Sequence, residues 1–421
     1  MASPLSRGLS TPVREVLPNG LRLIVQEHHG ADVVALQLWV GVGGRDEAPT
    51  ERGFSHFAEH MLFKGTEARP RGFVDRDVEA IGGRTNAGTS YDYTFYYILL
   101  PRSRALSAIE VLADIAFNSR FDPEELARER EVVFEEMRLG EDNPRSSLVR
   151  RLYDLVFQGS HYGSPVLGDP TALRAATHAT LCDYYKRHYV PDNMALVVVG
   201  PVDPVEVRRA AERSFGTVPR AGYSRHVPPP PPPIEGVRSL VVERPERQAS
   251  LALGWLAPPL GHSDMYAVDV LAHILGGARS SRLNQALRER ARLVSSVEAS
   301  YGTLQTAGVV MVTAQLEAKD LDRAGAAILE EIRKLQTEGV TDAELERALT
   351  AIEAEHVFSR ETAEGLARAY GRAEILWSLE EERRYMERVR RLTRDEVREA
   401  ARRYLAGGYT RLTFVPKERV R

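Results

Sequence analysis

The sequence predicts an α+β fold, an α/β sandwich built as two duplicated domains, and three observations carry that expectation. Apolar runs of period two alternate with longer runs of helical period in both halves of the chain. Between the halves, Pro228–Pro233 is a run of six prolines, a polyproline II rod of roughly 19 Å at ~3.1 Å per residue. Such a run also serves as a ligand for small recognition domains, but its place between two globular patterns makes it a linker. At 421 residues the chain is long enough for about two to three cores. The expected boundaries are 13–220 for the first domain, 221–237 for the linker and 238–421 for the second.

In the first half, Val13–Val16 and Leu21–Gln26 flank Pro18-Asn19-Gly20, and Asn-Gly between apolar runs signals a hairpin. Val34–Val42 reads as a buried strand that Gly43-Gly44 releases toward a helix. A short helix over 74–81 ends at Gly82-Gly83, and Thr85–Pro101 is β-rich with an expected break at Gly88. Helices follow over 103–117, 123–139, 145–157 and 171–188, then the strand Met194–Val199. The second half offers strands Ser239–Glu243 and Ser250–Trp255, helices over 264–275 and 280–290, and strands over 294–302 and 307–316. Helices over 319–338, 341–376 (in two pieces) and 380–405 precede the last strand, Tyr409–Val415. Both halves read β-β-α-α-β-β-α-α-α-β. The duplication is one of architecture, since the residues themselves match poorly.

The chemistry concentrates in Gly53-Phe54-Ser55-His56-Phe57-Ala58-Glu59-His60-Met61-Leu62-Phe63-Lys64-Gly65-Thr66. His56 and His60 are four apart, which on a helix places them about 40° apart on one face. Glu59 borders the same face. Two neutral imidazoles and a carboxylate suit zinc, which leaves a position for water. The alternative, two solvated histidines beside a surface glutamate, leaves the H-x-x-E-H spacing without a reason. That spacing is the inverted zincin motif.

A hydrolytic zinc site needs a third protein ligand. The segment from Asp122 opens as a helix should, with Asp122 as N-cap, Pro123 at the first position and Glu125 closing a capping box. Gly140 marks its expected end. Glu129 and Glu136, seven apart, share a face with Val133 between them. Acids interrupting an apolar stripe ask for a reason, and residues alone leave ligand helix and solvated acidic helix equally open.

With these motifs the chain resembles the superfamily of pitrilysin, insulin-degrading enzyme and mitochondrial processing peptidase, the inverzincins. Leu17-Pro18-Asn19-Gly20 and the Gly-Gly-Arg-Thr-Asn-Ala-Gly-Thr stretch at 82–89 share in the resemblance, which runs essentially the whole chain. It implies a short two-domain form, each domain a mostly antiparallel sheet packed with helices, and each chain half of a clamshell chamber. It also implies one Zn2+ held by His56, His60 and Glu136, with Glu135 the rival ligand if the register slips by one. Glu59 is the implied general base, and Glu129 would orient a ligand histidine or a water. Thr85–Ser90 would be an edge strand taking an extended peptide, with Asn86 and Ala87 beside the scissile bond and Phe57 lining the pocket after it. Met61 and Phe63 belong to the core. Relatives hold the substrate backbone with an arginine followed seven residues later by a tyrosine. Arg288 fits the arginine, but Ser295 stands at the tyrosine position, and Tyr301 is thirteen residues on. The implied assembly is a heterodimer with a homologous chain bearing an intact Arg/Tyr pair, and a homodimer is the runner-up.

Composition narrows the classes. A net charge of −3 gives no electrostatic case for nucleic acid or anionic membrane. No apolar run approaches the ~18 residues of a membrane span. The single Cys182 excludes an intrachain disulfide and a cysteine metal cluster. His273, on the second-half helix matching the zinc helix, reads as an ordinary histidine. Met1–Thr11 has Arg7, Ser3, Ser6 and Ser10 but no apolar core of a secretory signal, so a bacterial cytoplasm is the expected compartment. The expected function is a zinc metalloendopeptidase; the alternative is a non-catalytic structural or peptide-binding subunit of a larger complex.

Overall fold

The computed structural model describes residues 11–417. The serines and arginine of the N-terminal segment, residues 1–10, lie outside them. In chain order the elements begin with β1 (Val13–Val16), β2 (Arg22–Glu27), β3 (Val33–Val40), α1 (Phe54–Leu62) and α2 (Phe73–Ala80). Next come β4 (Arg84–Thr89), β5 (Thr94–Pro101), α3 (Ala105–Asn118), α4 (Pro123–Asp142) and α5 (Pro144–Val156). Then follow α6 (Pro170–Ala175), α7 (His178–His188), β6 (Met194–Gly200) and α8 (Pro204–Phe215). Past the prolines lie β7 (Val237–Arg244), β8 (Ala249–Ala257), α9 (Met265–Ala272), β9 (Ser296–Thr303) and β10 (Gly308–Leu316). The chain closes with α10 (Leu321–Thr337), α11 (Asp342–Phe358), α12 (Ala363–Leu376), α13 (Leu379–Arg390), α14 (Arg394–Tyr404) and β11 (Tyr409–Pro416).

The fold class is the expected one. Two sheets run in the orders β1-β2-β6-β3-β5-β4 and β7-β11-β8-β10-β9. Without β1 the orders are the same, strand for strand. Each sheet has one parallel pair, β2 with β6 and β7 with β11, and is otherwise antiparallel. The duplication read from the order of elements is therefore a duplication of topology.

Two compact units form. The first takes residues up to 137, 164–227 and 357–382; the second takes 138–163, 228–356 and the chain from 383 onward. In the first unit the even residues of β3, from Val34 to Val40, pack with α1, α3 and α8 in one apolar core. The opposite face is covered by α12, which comes from beyond the proline run. Trp39 lies on that face, and a Cβ on Gly371 of α12 would fall 2.0 Å from its indole nitrogen, so only glycine fits. The second unit repeats the device with α5, which packs on β8 and β11.

Local expectations mostly find their elements, with informative exceptions. The hairpin at Pro18-Asn19-Gly20 forms with Gly20 at φ 92° and pairs Val16 with Arg22. The β-rich run turns not at Gly88 but after Thr89, where Ser90 N–H meets Tyr93 O at 2.8 Å. Gly88 continues the strand because the Phe95 ring lies where a Cβ would stand, 2.8 Å away. The helix expected over 171–188 is two, since Thr177 leaves the helical backbone and caps α7. Likewise Thr393 caps α14 and splits the run expected over 380–405. The strong start of α8, Asp203 accepting from Val205 N–H with Pro204 at the first turn, marks a helix missing from the expected set. Asp122 caps α4 as expected, but Glu125 pairs with Arg71 and Arg128 instead of closing a box, and α4 runs through Gly140 to Asp142.

Candidate metal centre

Two helices of the first unit bring the candidate ligands together. α1 places His56 and His60 one turn apart, their ring centroids 4.7 Å from each other at 72°. α4 presents Glu129 and Glu136 two turns apart, with Val133 fully buried between them. Glu136 Oε2 lies 3.4 Å from His56 Nε2 and 3.5 Å from His60 Nε2. Among the described residues His56, His60 and Glu136 are the group of ligand atoms that lie mutually within 4.8 Å. Glu135 is exposed and outside this group.

The donor set fits zinc. A tetrahedral ion about 2.0–2.1 Å from each donor requires donors about 3.3–3.4 Å apart, and the measured 3.4 and 3.5 Å match. One imidazole, His60, is oriented by a hydrogen bond, whereas the buried His56 Nδ1 has no such partner among the described residues. Glu129 Oε2 sits 3.1 Å from His60 Nδ1, so Nδ1–H donates there and leaves the Nε2 lone pair toward Glu136. His56 is only 9 % exposed, and burial, helped by His60, lowers its pKa to about 3. Burial thus favours its neutral form, the form a metal ion requires of a histidine.

Two further side chains complete the site. Lys64, one turn beyond His60, places its ammonium 2.7 Å from Glu129 Oε1, so this buried carboxylate touches a cation and an imidazole at once. Thr89, at the end of β4, donates its hydroxyl to Glu59 Oε2. Burial raises the Glu59 carboxyl above its ordinary range, the charge of Glu136 adds to this, and Thr89 and His60 oppose it. Neither partnership was read from the sequence. Both contacts join separate elements, and no local spacing signals either of them.

The expected substrate residues are scattered in environment. β4 is an edge strand, paired only with β5, and packs beside α1. Asn86 is exposed on it and accepts the Ala87 N–H at 2.8 Å, while Ala87 is half-buried against the core. Phe57, expected to line a pocket, is instead fully buried in the apolar core, as the next turn of an amphipathic helix dictates. Arg288 is half-buried in the second unit. There Ser295 is exposed and bonds Gln315 O at 3.1 Å, and the Tyr301 hydroxyl is given to Pro258 O at 2.6 Å.

Comparison with known proteins shows the family and the fold. Residues 22–170 match the Insulinase (Peptidase family M16) family, and residues 175–352 match the Peptidase M16 inactive domain. An uncharacterized zinc protease of Bacillus subtilis is 32 % identical over 364 residues, covering 86 % of this chain and 88 % of the relative. One from Mycobacterium tuberculosis is 30 % identical over 414 residues, covering 94 % and 92 %. Among solved structures, a protease from Helicobacter pylori superposes with a TM-score of 0.92 at 24 % identity, over 97 % of this chain and 100 % of that one. A peptidase M16 inactive domain from Pseudomonas fluorescens gives 0.89 at 18 %, over 97 % and 98 %. At these identities the structures speak for the fold alone.

Proposed function

The chain belongs to peptidase family M16, and from that premise we propose that it is a zinc-dependent endopeptidase acting on peptides or unfolded polypeptides. The observation that carries this reading is the convergence of His56 Nε2, His60 Nε2 and Glu136 Oε2 at tetrahedral spacing beside a desolvated Glu59. When bound, the ion supplies Lewis-acid chemistry, polarising the scissile carbonyl and acidifying a water. Glu59 takes the proton of the attacking water on the oxygen that Thr89 leaves free, then delivers it to the departing amide nitrogen. Its raised pKa suits a group that must both accept and return a proton. Glu129 holds the His60 tautomer, and Lys64 holds Glu129. The free edge of β4 takes the substrate as an added strand, positioned by Asn86 and Ala87.

The test is metal content and turnover together. Purified protein should carry about one zinc per chain, and His60→Ala should abolish binding. Glu59→Gln should keep zinc while turnover of a generic peptide falls at least ~100-fold. Equal rates for that variant and the wild type would remove Glu59 from the mechanism. Glu135→Gln, the register control, should leave both quantities near normal.

The second unit supports a further part of the reading, that this chain is the catalytic member of a heterodimer. Arg288 is proposed to contact substrate, but its companion position is Ser295, and Tyr301 spends its hydroxyl on the Pro258 carbonyl. A homologous chain would supply the missing phenol. Adding such a chain should raise peptide turnover and shift the mass in solution to a one-to-one complex. Full activity from a pure homo-oligomer, unimproved by any partner, would sink this part. No helix among the described residues is long and apolar enough to cross a membrane.

A further inference from the structure

The helix that carries His56, Glu59 and His60 lacks a cap of its own. Its N-cap residue is Gly53, which has no side chain to accept from the first-turn N–H groups. One of them, the Ser55 N–H, is satisfied from outside the helix, together with the N–H of Gly53 itself. Glu47 Oε2 accepts the Gly53 N–H and Glu47 Oε1 accepts the Ser55 N–H, each at 2.7 Å. The two bonds span the first turn like a clasp, and the residue next to Ser55 is the ligand His56. Below the clasp, Ser55 Oγ and Tyr184 OH, both fully buried, are 2.7 Å apart, which ties the same turn to α7.

We propose that Glu47 is a positioning residue of the metal centre, fixing the rotation and rise of α1 so that both histidine Nε2 atoms meet Glu136. This rests on the zinc-peptidase reading above. A carboxylate across two N–H donors at a helix N-terminus is favoured by the helix dipole as well as by the bonds. Burial works against it and pushes the Glu47 carboxyl up to about 8, although Gly53 and Ser55 pull it down. What the clasp contributes is geometric: two short bonds at the start of α1 that fix the orientation of the helix. Glu47 reaches both donors from six and eight residues upstream.

Glu47→Ala and Glu47→Gln in the full chain test the proposal, with Thr177→Ala as control. Thr177 caps α7 at the Thr180 N–H, so its loss removes a cap of the same kind from a helix without ligands. In metal-free protein, amide hydrogen exchange over residues 53–60 should speed up about tenfold or more in Glu47→Ala. In Glu47→Gln, which keeps the length and one acceptor, the effect should be smaller. On adding zinc, the dissociation constant should rise about 10- to 100-fold in Glu47→Ala and stay at the wild-type value in Thr177→Ala. Wild-type protein that takes up no zinc would overturn the peptidase reading. Exchange over 53–60 at the wild-type rate in both Glu47 variants would overturn the clasp, whatever the metal result.

Discussion

Glu129 is the residue whose loss best separates ligation from ligand orientation. It makes no approach to the Nε2 atoms; it holds His60 Nδ1 at 3.1 Å and is itself held by Lys64 at 2.7 Å. Glu129→Gln keeps an acceptor for the imidazole but loses the charge that makes the ring a better base. Zinc should still bind, with a dissociation constant raised about 10- to 100-fold, as removal of a ligand's outer partner generally does. Competition against a chelator of known affinity measures it. An unchanged constant would reduce Glu129 to a helix acid without a part in the site. The residue scale is also where the sequence was most legible. H-x-x-E-H is local, and a helix converts a spacing of four into a shared face without help from the rest of the fold. The Thr89–Glu59 bond, thirty residues apart, and the Phe57 environment depend on how β4 and the core dock, and no local pattern contains that.

At the scale of elements, α7 is the support on which α1 rests, and its last turn carries a testable group. His188 is buried against Tyr184 and Tyr223, with Tyr223 OH 2.9 Å from its Nδ1. Burial, foremost, lowers its pKa to about 4, and Asp46 only partly offsets this. Because the folded value lies below the unfolded one, the unfolded chain binds a proton between about pH 6.5 and 4 that the folded chain refuses. Stability therefore falls as pH drops through that window, by on the order of 3 kcal/mol at its acid end. Denaturant midpoints at steps from pH 7 to 4 should decline more steeply in the wild type than in His188→Gln. Parallel declines would show that His188 contributes nothing to acid lability. Elements themselves were readable wherever period and caps agreed, as in β3, the Asn-Gly hairpin and α4. The errors came where a polar residue inside a helical pattern, Thr177 or Thr393, preferred its own backbone to the helix. At Gly88 a turn signal was in fact an accommodation of the Phe95 ring.

For the whole molecule, the defining feature is that α12 belongs to the first unit and α5 to the second. Amphipathic patterns reveal that a helix has an apolar face but never which sheet it covers, so this exchange was invisible in the sequence. It predicts the behaviour of fragments. A chain cut after Val227 keeps every candidate ligand yet leaves the Trp39 face of its sheet bare. It should bind hydrophobic dyes and aggregate, whereas refolding it together with residues 228–421 should restore dye exclusion and zinc binding. A monomeric, dye-silent 1–227 fragment would refute this. The same exchange sets a timetable during synthesis. Trp39 leaves the ribosome about 330 residues before Gly371, its covering partner, which at ~5–20 residues per second is a delay of about 17 to 66 s. For most of that interval the candidate ligands His56, His60 and Glu136 are already synthesised while the Trp39 face of their sheet waits for its cover.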